Sequence, residues 1–333
     1  MRKITLIEGD GIGPEITEAV KTIFAAASVP IEWEEENAGE STLSAKGELI
    51  PASLIASIER NKVALKGPIA TPIGEGFKSI NVHLRQKFDL YQNMRPCASQ
   101  PGLPTRFTDV DLVLFRENTE GLYSGLEFFD ERLGISDSIA RVTKSGCMKI
   151  VRAAFAYARK FNRKKVTLVH KANILKSAGK LFIDAGHSVA KDYPEIVFED
   201  KIIDNMCMQL VIRPEQYDVI VTTNLFGDII SDLCAGLIGG LGVVAGANIG
   251  DDVAIYEAVH GTAPDIAGQN KANPTALLKS AILMLHHIGL QDHARTIENA
   301  LNKTLSNPEM RTADLGGKAG TKEFAQNVIA YLE

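Results

Sequence analysis

Short runs rich in Val, Ile and Leu recur along the chain, separated by stretches whose apolar residues return at helical spacing. Strands are expected at residues 3–8, 111–115, 165–170, 196–203 and 218–223. Helices are expected at 14–27, 148–159, 173–185, 204–212 and 228–238. Strand alternating with helix indicates an α/β fold with a largely parallel, buried sheet. Two stretches interrupt the alternation. Residues 96–104 carry Pro96, Pro101 and Pro104, which restrict the backbone, and residues 239–250 are Gly-rich. Both read as crossings between two lobes.

The 333 residues are 45% hydrophobic and 23% charged, an ordinary globular composition that argues against disorder, collagen and coiled coil. Lys plus Arg number 36 and Asp plus Glu 41, a net charge of −5 that gives no global attraction to nucleic acid or anionic lipid. Cys97, Cys147, Cys207 and Cys234 stand far apart with no CxxC pair, which disfavours a zinc ribbon or disulfide scaffold and suits a reducing compartment. The first apolar run is short and is interrupted by Glu8 and Asp10. No apolar stretch approaches the roughly 18 residues of a membrane span. The expectation is a soluble cytoplasmic protein with no nucleic-acid or membrane partner.

Two glycine clusters invite a nucleotide reading. Gly240-Leu241-Gly242-Val243-Val244-Ala245 matches the dinucleotide fingerprint on paper, but it follows an expected helix rather than a strand, and no acidic residue stands about 20 positions later. A Rossmann fold is therefore rejected. Gly9-Asp10-Gly11-Ile12-Gly13-Pro14-Glu15 does lie between a strand and a helix. Its spacing is different, and tight-turn packing explains it as well as cofactor proximity does.

The candidate chemistry gathers elsewhere. Asp228 and Asp232 are spaced i, i+4 on one face of a helix that is otherwise apolar, an arrangement that calls for a cation unless the face is simply solvated. A position at the helix N-terminus would favour Asp228. Oxygen-only ligands suit Mg²⁺ or Mn²⁺ better than Zn²⁺, and Asp204, also just after a strand, is a third candidate carboxylate. Ser79 is placed to cap a helix with Ile80, Leu84 and Phe88 on its apolar stripe, and Asn81 and Arg85 lie one turn apart beside that stripe. Arg95 and Arg116 are two further cations. Arg116, Lys171, Asp204 and Asp228 each fall just past the C-terminal end of an expected strand, the edge where open α/β sheets bind ligands. Tyr123 is a phenol seven residues beyond Arg116. The run from His260 to Pro274 reads as a loop.

Taken together these motifs resemble the β-decarboxylating dehydrogenases, the family of isocitrate and 3-isopropylmalate dehydrogenases, from Gly9–Glu15 through Asn224–Asp232 and His260–Pro274 to Thr312–Gly317. The resemblance implies the family's non-Rossmann α/β fold, a large mixed sheet flanked by helices. It implies a large domain of residues 1–95 and 240–333, a small domain of 96–239, and a short dimer clasp around 121–143. Ser79 and Asn81 look like the isocitrate type, where isopropylmalate enzymes place leucines. The implied activity is NAD-dependent oxidative decarboxylation of isocitrate to 2-oxoglutarate and CO₂. Arg85, Arg95 and Arg116 would grip substrate carboxylates. Asp228 and Asp232, with Asp204 from a second subunit, would hold Mg²⁺ or Mn²⁺. Tyr123 and a second subunit's Lys171 would transfer protons. Thr71, His260, Gly261, Asp265, Ile266 and Asn273 would line the cofactor. Relatives that use NADP carry Lys and Tyr where Asp265 and Ile266 stand, and a Tyr and an Arg where Ala313 and Gly317 stand. A carboxylate accepts ribose hydroxyls and repels a phosphate, so NAD is expected. A homodimer or higher homo-oligomer with shared sites follows. The competing readings are 3-isopropylmalate, homoisocitrate or tartrate as substrate, or a non-catalytic regulatory subunit.

Overall fold

The Val- and Ile-rich runs pair into one wide sheet. The computed structural model describes the whole chain except Ser41, residues 44–46, residues 71–78 and Glu333. Its strands are β1 (Arg2–Ile7), β2 (Ile31–Glu36), β3 (Val63–Lys66), β4 (Gln92–Ala98), β5 (Asp111–Glu117), β6 (Gly121–Asp130), β7 (Ile135–Arg141), β8 (Lys165–His170), β9 (Val197–Ile202), β10 (Val219–Thr222), β11 (Ala245–Ile249) and β12 (Ala254–Ala258). The helices are α1 (Gly13–Ala26), α2 (Ala52–Asn61), α3 (Ile80–Lys87), α4 (Lys144–Lys160), α5 (Lys176–Ala190), α6 (Ile203–Ile212), α7 (Asn224–Leu237), α8 (Thr275–His287), α9 (Gln291–Ser306) and α10 (Thr321–Ile329). Among the described residues, ten strands form the sheet β2-β1-β3-β12-β11-β4-β5-β10-β8-β9.

Each end of the sheet is parallel. The strands β2, β1, β3 and β12 run together at one end, and β5, β10, β8 and β9 at the other. The steps from β12 to β11, β11 to β4 and β4 to β5 are all antiparallel, so the two parallel ends point in opposite directions. The largely parallel sheet expected from the alternation is thus two parallel halves joined by a reversed pair, the mixed sheet that the resemblance implied. Strands buried on both faces, such as β3 and β10, carry continuous apolar runs rather than alternation.

Three local readings change. The expected crossing at 239–250 is half strand: β11 sits buried in the sheet after a short turn at Leu241–Val243. Its small residues let neighbouring segments approach closely, and composition alone made it look like a loop. Pro96 lies inside β4, and the ladder to β11 stops at Met94, as suits a residue with no N–H to donate. Helix α7 begins at Asn224 rather than 228, so Asp228 sits in its second turn and gains no helix-terminal position.

One large core fills the sheet–helix layers, from Ile4 and Phe24 to Leu285 and Phe324. A smaller core, including Ile58, Ile80, Leu84 and Ile255, lies beneath α2 and α3. Hairpin β6–β7 stands apart as a two-stranded ribbon, with β7 exposed along its length. Among the described residues no helix is long and apolar enough to cross a membrane.

One helix position works against the fold. Lys279 on α8 is half-buried, its one hydrogen bond among the described residues goes to the Val243 carbonyl at 3.1 Å, and burial pushes its ammonium down to about 8. A lysine with a lowered folded value penalises the fold fully below that value, and the penalty lifts as pH rises from about 8 towards the ordinary 10.5. Lys279→Met is expected to stabilise the protein by about 2 kcal/mol at pH 7, after losing one hydrogen bond to Val243. Thermal unfolding at pH 7 and pH 10 checks this. The gain should shrink at the higher pH, and equal melting of both proteins at pH 7 would refute it.

Candidate active site

Paired residues in a ladder place their side chains on the same face of a sheet. The register therefore draws a polar belt across the reversed centre of this one. Arg116 pairs Asn93, Asn93 pairs Asn248, and Asn248 pairs Ile255. One pleat further along the same face come Arg95 on β4, Glu257 on β12 and its partner Lys66 on β3. Five strands thus contribute to one buried polar row. Arg116 lies within β5 rather than beyond it, so this part of the site is on a sheet face, not in the crevice past the strand ends.

The belt is hydrogen-bonded from Lys66 to Arg95. Lys66 Nζ lies 2.7 Å from Glu257 Oε2, Arg85 donates to Glu257 Oε1 at 3.3 Å, and Asn248 donates to the same oxygen at 2.6 Å. Asn93 donates to Asn248 at 2.8 Å, and Arg95 Nε donates to Asn93 at 2.8 Å. Burial would raise Glu257, but Lys66 and Arg85 outweigh it and hold the carboxyl at about 2. Arg95 then reaches Ser231 Oγ at 2.5 Å and Asp232 at 3.5 Å. Burial, then Arg85 close by, lowers Arg95 from its ordinary value.

Arg116 forms the second knot. Its Nε and one terminal nitrogen donate to Asn224 Oδ1 at 3.1 and 2.8 Å, and the other terminal nitrogen pairs with Asp228. Gly227 makes this possible, since a Cβ there would lie 2.5 Å from the Arg116 stem. Burial pushes Arg116 down to about 10, with Arg85 adding to the effect. Burial would raise Asp228, but Arg116 and the Tyr123 hydrogen bond hold it below the usual carboxylate range. The Tyr123 hydroxyl donates to Asp228 Oδ2 at 2.6 Å, and the Arg116 guanidinium lies 5.1 Å from its ring centre. Burial raises Tyr123, and the bond to Asp228 raises it further, so the phenol keeps its proton at neutral pH.

Lys171 and Asp204 form a separate group. They follow β8 and β9 and pair with each other at 2.5 Å. Neither bonds to the Arg116–Asp228 group. The turn carrying Lys171 is set by His170, whose Nδ1 accepts from Ala172 N at 3.0 Å, leaving Nε2 to donate to Asp200 at 2.9 Å. Among the described residues no three His, Cys, Asp or Glu side chains gather where they could hold a metal. Asp228 and Asp232 do fit a hard divalent ion as an all-oxygen pair, and Asp232 and Asp204 stay 63% and 69% exposed, open to a ligand. A single chain supplies two of the three carboxylates in one place.

Helix α3 is capped as expected: Ser79 Oγ accepts from Val82 N at 3.5 Å. Asn81 Oδ1 and Arg85 Nε are buried without hydrogen-bond partners among the described residues. Of the residues expected to line a cofactor, Thr71 lies outside the described residues. The His260 Nδ1 proton is directed to the Gly261 carbonyl at 3.0 Å, and burial lowers the imidazole, so the ring is neutral. That leaves Nε2 a buried acceptor with no partner among the described residues. Asp265 and Gly261 are exposed, and Ile266 packs on the core. Asn273 is committed elsewhere: its amide donates to Asp314 at 2.9 Å and accepts from Thr275 N at 2.9 Å. It thereby docks the turn bearing Ala313 against the loop.

Lys66, Asn93, Asn224, Ser231, Asn248 and Glu257 were not singled out from the sequence. The available signal was a charge or amide inside a buried apolar strand, such as Glu257 within Ala-Ile-Tyr-Glu-Ala, which requires a partner.

A large mixed sheet with arginines and aspartates converging on its reversed centre defines a class: the chain belongs to the isocitrate/isopropylmalate dehydrogenase family, whose model matches residues 3–328. It is 50% identical to a mitochondrial NAD isocitrate dehydrogenase catalytic subunit of Arabidopsis thaliana, over 98% of this chain and 88% of that protein. It is 51% identical to a mitochondrial NAD isocitrate dehydrogenase regulatory subunit of Dictyostelium discoideum, over 100% of this chain and 92% of that protein. The crystal structure of isocitrate dehydrogenase from Methylococcus capsulatus matches with a TM-score of 0.96 at 49% identity, covering 100% of this chain and 99% of that one. The cytoplasmic expectation is overturned, because the two curated relatives are named mitochondrial. A search for an apolar leader does not address that compartment, since mitochondrial leaders are amphipathic and Arg-rich.

Proposed function

We propose that this chain is a catalytic NAD-dependent isocitrate dehydrogenase that converts isocitrate to 2-oxoglutarate and CO₂ with Mg²⁺ or Mn²⁺. The convergence of Arg85, Arg95 and Arg116 beside Asp228 and Asp232 carries the reading. Three guanidiniums match three carboxylates, and their present carboxylate partners are what a bound tricarboxylate would replace. The Asn81 Oδ1, without a partner among the described residues, is a polar group that an alkyl-bearing substrate would leave unsatisfied, and the Ser79 hydroxyl beside it keeps a proton to donate. Asp228 and Asp232, with Asp204 from a second copy, would hold the ion, which when bound acts as a Lewis acid on the substrate oxygens. His260, Gly261, Asp265 and Ile266 would face NAD, the hydride acceptor, with Thr71 expected beside them.

Within this reading Tyr123 holds the proton destined for C3 of the product. Lys171, steered by Asp204, takes the substrate hydroxyl proton across the boundary between two copies. A domain division at 95/96 and 239/240 would cut through β4 and put Arg116, Asp228 and Asp232 in one lobe and Lys66, Arg85, Arg95 and Glu257 in the other. The exposed apolar residues of the hairpin (Phe128, Phe129, Ile135, Ile139) and of α6 and α7 (Met208, Val211, Ile212, Ile229) support burial against a second copy. All described residues needed for the chemistry are present, which favours a catalytic over a regulatory role.

A matrix of NAD and NADP against isocitrate, 3-isopropylmalate, homoisocitrate and tartrate, with Mg²⁺, tests the reading through reduced-nicotinamide absorbance. Turnover is expected to be highest with NAD and isocitrate. Higher turnover with NADP or with another acid would overturn it.

A further inference from the structure

The glycine motif after β1 has no part in the chemistry above, yet it touches several described segments on the cofactor side. Asp10 N donates to Pro68 O at 2.8 Å, and Asp10 Oδ2 accepts from Ala70 N at 3.0 Å. Ile12 N donates to Thr262 O at 2.9 Å. Gly11 must be glycine for this approach, because a Cβ there would lie 2.1 Å from Thr262 O. Two residues into α1, the Glu15 carboxylate accepts from Ala272 N at 2.9 Å, from Asn270 N at 3.3 Å and from Thr321 Oγ1 at 2.9 Å. One heptapeptide therefore grips both ends of the 262–272 loop.

The Glu15 end is built with care. Asn270 has a left-handed backbone, φ +56°, which costs a non-glycine residue energy unless its surroundings impose it. Its amide donates to Glu323 at 2.9 Å and accepts from Lys322 N at 2.9 Å, and its carbonyl accepts from Thr321 N at 3.2 Å. Glu15 has no ion-pair partner among the described residues. All three of its donors are neutral, two of them backbone amides of this loop. A carboxylate can accept from both amides at once, whereas a carboxamide presents one acceptor and turns N–H groups on the other donor.

We propose that Glu15 is a positioning residue for the dinucleotide: its carboxylate holds the loop that carries Asp265 and Ile266 in its binding shape. The proposal rests on the reading of that loop as the NAD site. Glu15 acts through the loop backbone, so its removal should weaken NAD binding while leaving the arginine and aspartate cluster intact.

The test is steady-state kinetics of full-length Glu15→Gln with Mg²⁺, alongside thermal unfolding with NAD or with isocitrate and Mg²⁺. KM for NAD is expected to rise about tenfold, the effect of one charge-assisted hydrogen bond. At saturating NAD, kcat should stay within about twofold and KM for isocitrate should not change. The melting shift caused by isocitrate with Mg²⁺ should persist while the shift caused by NAD shrinks. An unchanged KM for NAD, or a parallel loss of both melting shifts, would overturn the proposal. Asp265→Lys is the control. If it raises KM for NAD and Glu15→Gln does not, the positioning role alone fails; if neither changes it, the reading of the loop as the NAD site fails and the proposal falls with it.

Discussion

Glu257→Ala is expected to cost the fold about 3–5 kcal/mol, because it leaves Lys66 and Arg85 buried with no opposing charge. Both cations lie in the polar belt, and among the described residues Glu257 is the carboxylate that pairs with each. Glu257→Gln should cost less, since an amide still occupies the volume and can keep a hydrogen bond to Asn248. The pH dependence has a definite sign. The folded carboxyl sits at about 2 against an ordinary 4.5, so ionised Glu257 stabilises the protein fully above about pH 4.5. That contribution fades as pH falls towards 2. Urea unfolding of the parent and both variants between pH 7 and pH 3 checks this. If the alanine variant unfolds at the parent's midpoint at pH 7, the belt is not charge-balanced as described.

Tyr123→Phe should lower kcat by about 10²–10⁴, the range for losing a positioned general acid. The ring would remain against Arg116, so substrate binding should change by less than about threefold in KM. The phenol is suited to this task because burial and the Asp228 bond keep it protonated at neutral pH. Asp228 would also lose its hydrogen-bond donor, so the variant's carboxyl should move up towards its ordinary value. Rapid mixing with isocitrate and NAD separates the steps: hydride transfer should proceed while release of 2-oxoglutarate lags. A variant with parent kcat would remove Tyr123 from the proton path.

Much of the site could be read locally. Asp228 and Asp232 are four residues apart on one helix, so their shared face is a property of helical geometry and needs no tertiary information. The Ser79 cap and the Ile80–Leu84 stripe are likewise local. The helix start at Asn224 was not visible because Asn224 spends its side chain on Arg116 and Glu120 rather than on a cap. The strand β11 was not visible because Ala-Gly-Ala-Asn-Ile has weak strand propensity and is held by neighbours on both sides.

By itself the sequence determined the α/β alternation, the family, the acidic pair and the arginines, all of which depend on residue type and short spacing. Only the tertiary structure decided that the sheet reverses at β11 and β4, and that Lys66, Glu257, Asn248, Asn93 and Arg95 share one face. Strand register sets which distant residues meet, and a shift of one residue would turn each of them to the opposite side. The same structure separates Lys171 and Asp204 from the arginine cluster of their own chain. That separation is a consequence of strand order, which no local pattern encodes.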